Sequence, residues 1–152
     1  DLAWNYFQSV ESDENSDFIE QWHKFTGKES RTTNDPMEAT YIGFNMWLKA
    51  VEKAGTTDPE LVQEALIGVT VPNLTGGYAA MMPNHHITKP VLIGEIQDDG
   101  QFEVVSETKG TVAGDEWSDY LPGSKDLIAD WRKPLACGNF NVKTGKCGGS
   151  GK

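Results

Sequence analysis

The chain is poor in the residues that carry redox, metal and polyanion chemistry. Its 152 residues include 2 cysteines and 3 histidines, and 13 Lys+Arg stand against 23 Asp+Glu, a formal net charge of −10. No block of Lys or Arg offers a phosphate-binding face, which sets nucleic-acid binding aside, and an acidic surface repels polyanions. No run approaches the roughly 18 consecutive apolar residues of a membrane-spanning helix. A G-x-S-x-G elbow, a glycine-rich phosphate loop, a C-x-x-C pair and the H-E-x-x-H spacing are all missing, so the common signatures of nucleophilic, nucleotide, dithiol and zinc chemistry are absent. What is present is 38% hydrophobic, enough for a core in a chain of one-domain length.

The sequence opens Asp1-Leu2-Ala3-Trp4-Asn5-Tyr6-Phe7, with no initiator Met, basic n-region or small-residue cleavage site. Such an aromatic run reads as a buried strand over residues 3–10, which leads us to expect further chain ahead of it. Ser12 to Asn15 supply helix-start signals, and Phe18, Trp22 and Phe25 share one face before Gly27. Asp35-Pro36-Met37-Glu38 predicts a second helix with Asp35 as N-cap and Pro36 at its first position. Met37, Tyr41, Phe44, Leu48 and Val51 are its expected apolar face, ending at Ala54-Gly55. Asp58-Pro59 starts a shorter helix that stops at Gly68. Residues 69–89 are turn-rich with a weak strand at best, and the runs 90–97 and 102–107 flank Asp98-Asp99-Gly100-Gln101 as a hairpin. Scattered Trp117, Tyr120 and Trp131 suggest an extended tail. Helical units followed by strands make the class α/β or α+β.

Few residues remain for chemistry. Cys137 and Cys147 flank a Gly- and Asn-containing loop, which a disulfide would close for roughly 3 kcal/mol in an oxidising compartment; two unpaired thiols are the alternative. Gly148-Gly149-Ser150-Gly151-Lys152 has flexible-linker composition. Asn84-His85-His86 looks catalytic, yet adjacent histidines on a strand point to opposite faces, so a structural role competes with a metal-dependent hydrolase built on His85 and His86. Asp115 and Asp119 could hold Ca²⁺ with carbonyl groups, although no twelve-residue calcium loop is present and a solvated face is the simpler reading. Finally, Trp4-Asn5-Tyr6 ends a strand while Glu38 and Tyr41 begin a helix. In α/β proteins ligands sit where strand ends meet helix starts. These residues are therefore either core and cap, or the wall of a site for a small, neutral, hydrogen-bonding ligand.

At these residues the chain resembles a family. Ala3-Trp4-Asn5-Tyr6-Phe7, Asp35-Pro36-x-Glu38-Ala39-x-Tyr41-Ile42-Gly43, Trp47-x-Lys49-Ala50-Val51-Glu52-Lys53-Ala54-Gly55, Asn84-His85-His86-x-x-Lys89-Pro90-Val91-x-Ile93-Gly94-Glu95-Ile96, Asp99-Gly100-Gln101-Phe102-Glu103 and Trp117-Ser118-x-Tyr120-Leu121-Pro122 look like the urea or short-chain-amide substrate-binding proteins of ABC transporters. The likeness runs in order over residues 3–135. It implies a type I periplasmic-binding fold, two Rossmann-like α/β lobes joined by crossover strands, of which this chain is the C-terminal part. Residues 1–30 would then end the distal lobe and 31–90 return to the first lobe. A crossover hairpin and wrapping tail would occupy 91–135, a cysteine loop 136–147 and a flexible tail 148–152. The implied function is non-enzymatic: an extracytoplasmic, periplasmic receptor that takes no cofactor, binds urea or a short amide and delivers it to an ABC permease, with lipid anchoring through a preceding segment left open. An amide-sensing regulatory protein of the same fold is the alternative. The resemblance assigns Trp4, Asn5, Tyr6, Glu38 and Tyr41 to the ligand.

Overall fold

The computed structural model describes residues 1–115, 117, 119, 120, 122, 123, 140, 141, 146 and 147. Its elements run β1 (Leu2–Trp4), α1 (Asp13–Thr26), α2 (Asp35–Ala54), α3 (Pro59–Leu66), β2 (Thr70–Pro72), β3 (Tyr78–Ala80), β4 (Leu92–Ile96), β5 (Phe102–Glu107), β6 (Phe140–Asn141) and β7 (Lys146–Cys147). By its contacts the chain divides into two units, Asp1–Glu116 and Trp117–Lys152. The second unit contains the antiparallel pair β6–β7, with Phe140 opposite Cys147. The expected Cys137–Cys147 disulfide falls outside the described residues, since Cys137 is not among them.

In the first unit, α2 organises the main core. Its cap is Asn34 rather than Asp35: the Asn34 side chain accepts from the Met37 amide at 3.1 Å. Asp35 and Pro36 therefore sit in the first turn, where an acidic side chain suits the positive end of the helix dipole. The buried stripe also differs from expectation. Glu38, Ile42, Met46 and Ala50 face inward, whereas Phe44 and Leu48 are 56% and 40% exposed. The large residues drew the sequence reading to one stripe, while the smaller set at strict four-residue spacing packs against Val62 of α3, Val69, Val71 of β2 and Ala79 of β3. Full burial of a side chain such as Ile42 or Met46 contributes roughly 1.5–3 kcal/mol. Helix α3 starts where expected, its Asp58 carboxylate accepting from the Glu60 and Leu61 amides. The weak strand expected in residues 69–89 is a short hairpin, β2 paired antiparallel with β3.

Strand β1 is shorter than expected because Tyr6 and Phe7 leave the ladder to enter the interior. A second core cluster joins Tyr6, Phe18 and Leu74, with Met37 and Tyr41 packed against it. Helix α1 presents Asn15 and Phe18 inward, and Phe25, expected on that face, is 85% exposed. Strands β1, β4 and β5 form one antiparallel sheet with β4 central. The expected hairpin is β4–β5, with an irregularity between Ile93 and Gly94. There Phe7 stacks on Phe102 at 4.7 Å between ring centres, and a Cβ on Gly94 would stand 2.7 Å from the Phe7 ring. Glycine is needed at this position because the ring occupies the space a side chain would take.

Candidate functional site

A pocket of about 360 Å³ lies between the first turn of α2, Asn5 just past β1, and the segments 86–91 and 112–114. Its size is within the usual range of small-molecule sites. Two reciprocal backbone bonds between Lys89 and Val112, at 3.1 and 2.7 Å, hold those segments together. Asn84 adds a bond from its Nδ2 to the Gly114 carbonyl at 2.9 Å. Gly114 permits this approach, since a Cβ there would fall 2.5 Å from the His86 Cβ.

The Asn-His-His motif is explained by this turn. Asn84 Oδ1 accepts from the His86 amide at 3.1 Å, Met82 and His86 are joined by a backbone bond at 2.8 Å, and His85 takes φ 60. Histidine is among the residue types that tolerate this left-handed conformation. The pair therefore lies in a loop, not on a strand, and His86 contributes to the pocket wall while His85 shapes the turn. Among the described residues no group of three or more His, Cys, Asp or Glu side chains is placed to hold a metal ion. Asp115 and Asp119 are both exposed.

Beneath the pocket is a buried ion pair. The Lys89 ammonium donates to Glu38 Oε1, with the two side chains 10% and 0% exposed. Among the described residues no donor meets hydrogen-bond geometry at Glu38 Oε2, although the Leu74 backbone amide is near enough to favour the charged form. Burial raises the Glu38 pKa above the ordinary carboxyl value; Lys89 opposes the rise and Asp35 adds to it. Burial of a charged group is costly, and one well-placed cation offsets only part of the cost. At the pocket edge Asn5 is anchored twice. Its amide donates to Asp35 Oδ1 at 3.2 Å and its Nδ2 to the Pro90 carbonyl at 2.7 Å. The side-chain carbonyl of Asn5 and the Asp35 carboxylate thus supply acceptors at the edge.

Of the residues expected to meet a ligand, Asn5 and Glu38 share this pocket. Tyr41 instead lines a separate groove of about 420 Å³ with Asn45, Leu48 and Leu74, its ring 4.8 Å from that of Phe18. Trp4 is 42% exposed on β1, tilted against Phe7. Tyr6 is 0% exposed. Its hydroxyl donates to Asn15 Oδ1 at 2.7 Å and lies 2.7 Å from the Thr33 hydroxyl, so a ligand would have to displace one of them. Burial pushes the phenol up to about 12, with the Thr33 bond opposing and Glu38 adding to the shift.

Sequence reasoning missed Lys89, Asp35 and His86 as pocket residues. Lys89 was visible within the Asn84-to-Ile96 motif, but its partner is 51 positions away and nothing local reports such a pairing. Asp35 reads from sequence as a cap, and for His86 the sequence sets a structural role against a metal-dependent one without pointing to a pocket.

Residues 2–123 match the family described as periplasmic binding protein domain. Among solved structures, a solute-binding protein of an ABC transporter from Rhodopseudomonas palustris HaA2, in complex with p-hydroxybenzoic acid, is similar with a TM-score of 0.61 and 25% identity, over 72% of this chain and 31% of that one. A leucine-binding protein from Thermotoga maritima MSB8 is similar with a TM-score of 0.56 and 19% identity, over 69% of this chain and 29% of that one. A protein from Geobacillus stearothermophilus named limonene hydroxylase is 33% identical over 101 residues, 66% of this chain and 18% of that protein. The chain thus spans under a third of the first solved relative's length and under a fifth of the curated one's. The motif order along the sequence, the α/β architecture and the match over residues 2–123 agree, and the chain belongs to the periplasmic binding protein domain family, with the α/β fold of its type I members.

Proposed function

We propose that this chain is part of the extracytoplasmic solute-binding component of an ABC uptake system, a non-enzymatic receptor for urea or another short amide that passes its ligand to a membrane permease. The class is supported by the family match over residues 2–123. No helix among the described residues is long and apolar enough to cross a membrane, so in this reading the permease supplies the membrane path.

The observation that favours a neutral amide is the pairing state of the pocket. Lys89 is the one Lys or Arg among its described lining residues, and it is engaged by Glu38. A ligand carboxylate would find no uncommitted Lys or Arg on this wall, whereas amide N–H groups would find the Asp35 carboxylate and the Asn5 carbonyl oxygen. Urea is planar and neutral, with one acceptor and four N–H donors, and the rings of Trp4 and Tyr41 remain proposed as flat contacts supplied from beside the pocket. Four heavy atoms limit urea to about 6 kcal/mol, a Kd on the order of tens of micromolar.

Isothermal calorimetry of the full-length protein against urea, acetamide, formamide, 4-hydroxybenzoate and leucine tests the reading. Heat of binding with an amide alone is expected. A second reading, an aromatic-acid or amino-acid receptor, draws on the ligands named for the solved relatives; binding of 4-hydroxybenzoate or leucine with no response to amides would establish it in place of the first.

A further inference from the structure

The buried Glu38–Lys89 pair does more than a helix cap requires. A cap at the start of α2 is already supplied by Asn34, so Glu38 is not needed to satisfy the first-turn amides. Placing a carboxylate at 0% exposure is costly, and α2 would pack more cheaply with an apolar residue at that point of its stripe. The pair nevertheless lines a pocket, on the side where Asn5, Asp35 and His86 also meet. Lys89 takes one oxygen of Glu38, and among the described residues the other meets no donor in hydrogen-bond geometry, the Leu74 backbone amide standing near the carboxylate without completing a bond. A buried acceptor whose pairing is incomplete carries a free-energy cost that an N–H donor from a bound molecule would reduce.

We propose that Lys89 is a positioning residue of the solute pocket: by pairing with Glu38 Oε1 it keeps Glu38 an acceptor-only carboxylate whose Oε2 receives an N–H of the bound amide. This inference rests on the amide reading above and names the chemistry of its recognition. Without Lys89, Glu38 would face Asp35 on its own helix and the Tyr6 hydroxyl from the β1–α1 segment, with His86 elsewhere on the pocket wall and no Lys or Arg among the other described lining residues. A protonated Glu38 would then carry a hydroxyl on one of its two oxygens, and where that oxygen is Oε2 an amide N–H would meet an O–H donor in place of a carboxylate acceptor. Selectivity follows from the same arrangement, because the positive charge of Lys89 is spent inside the protein and not offered to a ligand carboxylate.

The test uses the full-length protein with Lys89→Met, Lys89→Arg and Glu38→Gln, and urea and acetamide as calorimetric probes between pH 5.5 and 8.5. For Lys89→Met the expected result is at least a tenfold loss of affinity at pH 7 that recedes as pH rises and Glu38 ionises. Lys89→Arg restores binding, and Glu38→Gln loses affinity by a similar factor at every pH. A purely structural role would lower the melting temperature of Lys89→Met but leave the affinity and its pH profile unchanged, and that result would overturn the proposal. If the wild-type protein binds neither probe, the amide reading fails by itself. The pairing step is then read by ¹³C NMR titration of the Glu38 carboxyl. Titration about 1–3 pH units higher in Lys89→Met than in wild type upholds that step, and an unchanged titration overturns it. Should Lys89→Met fail to fold, Lys89→Arg and Glu38→Gln still decide: full affinity in Glu38→Gln contradicts the proposal.

Discussion

At the scale of single residues the account turns on buried polar groups and their partners. Lys89→Met would leave the buried Glu38 without its cation, and we expect a loss of about 3–5 kcal/mol at the alkaline pH where Glu38 must ionise unpaired, measured by chemical denaturation of the full-length protein. The loss should shrink in acid, where Glu38 is protonated in the folded state. The sign for the wild type follows from the raised Glu38 pKa: the folded state holds this proton more tightly than the unfolded chain. Its contribution is complete below the ordinary carboxyl value of 4.5 and declines as pH rises through the folded-state value. Tyr6 behaves likewise at the alkaline end. Its contribution is present below pH 10.0 and lost as pH climbs through about 12, so Tyr6→Phe should flatten the alkaline part of the stability curve. The same substitution orphans Asn15 Oδ1, whose own Nδ2 is held by the Gln8 and Val10 carbonyls at 2.9 and 2.7 Å, and should cost about 1–3 kcal/mol near neutral pH.

At the scale of elements, sequence pattern revealed where helices start and stop better than which way they face. Helix α1 begins at Ser12, whose side chain accepts from the Asn15 amide at 3.0 Å, and ends at Gly27 with φ 64. Helix α2 ends at Gly55 with φ 66. Caps and positive-φ glycines are local devices and can be read locally. The facing of α2 is not local: a stripe of Glu38, Ile42, Met46 and Ala50 wins over the bulkier Phe44 and Leu48 because β2, β3 and α3 approach from that side. Met46→Ala should therefore cost about 2–5 kcal/mol, and a cost under 1 kcal/mol would contradict the observed facing. Gly94→Ala drives a methyl group into the Phe7 ring stacked on Phe102, and overpacking of this kind costs about 1–3 kcal/mol; an unchanged melting temperature would show that the ring can give way.

For the whole molecule, the motif order points to a type I periplasmic binding protein, and the match over residues 2–123 and the fold agree with that class, while the urea or short-amide ligand belongs to the proposed function. The site was only partly legible. Asn5 and Glu38 line one pocket, at a place where a strand end meets a helix start as the sequence pattern expects, whereas Lys89 and Asp35 take their meaning from neighbours 51 and 30 positions away. Tyr6 has the composition of a binding-site aromatic and the burial of a core residue, a distinction that depends on Asn15 and Thr33 closing around its hydroxyl. In the proposed function the acidic balance, −10 overall, has little effect on a neutral ligand, and recognition would depend on the Asn5 and Asp35 acceptors at the pocket edge and on the occupation of Lys89 by Glu38. Calorimetric titration of the full-length protein with urea and acetamide, beside 4-hydroxybenzoate and leucine, measures this most directly. The account predicts saturable amide binding, in the range of tens of micromolar for urea, and no heat from either carboxylate ligand; saturable binding of a carboxylate ligand with none of the amides would contradict it.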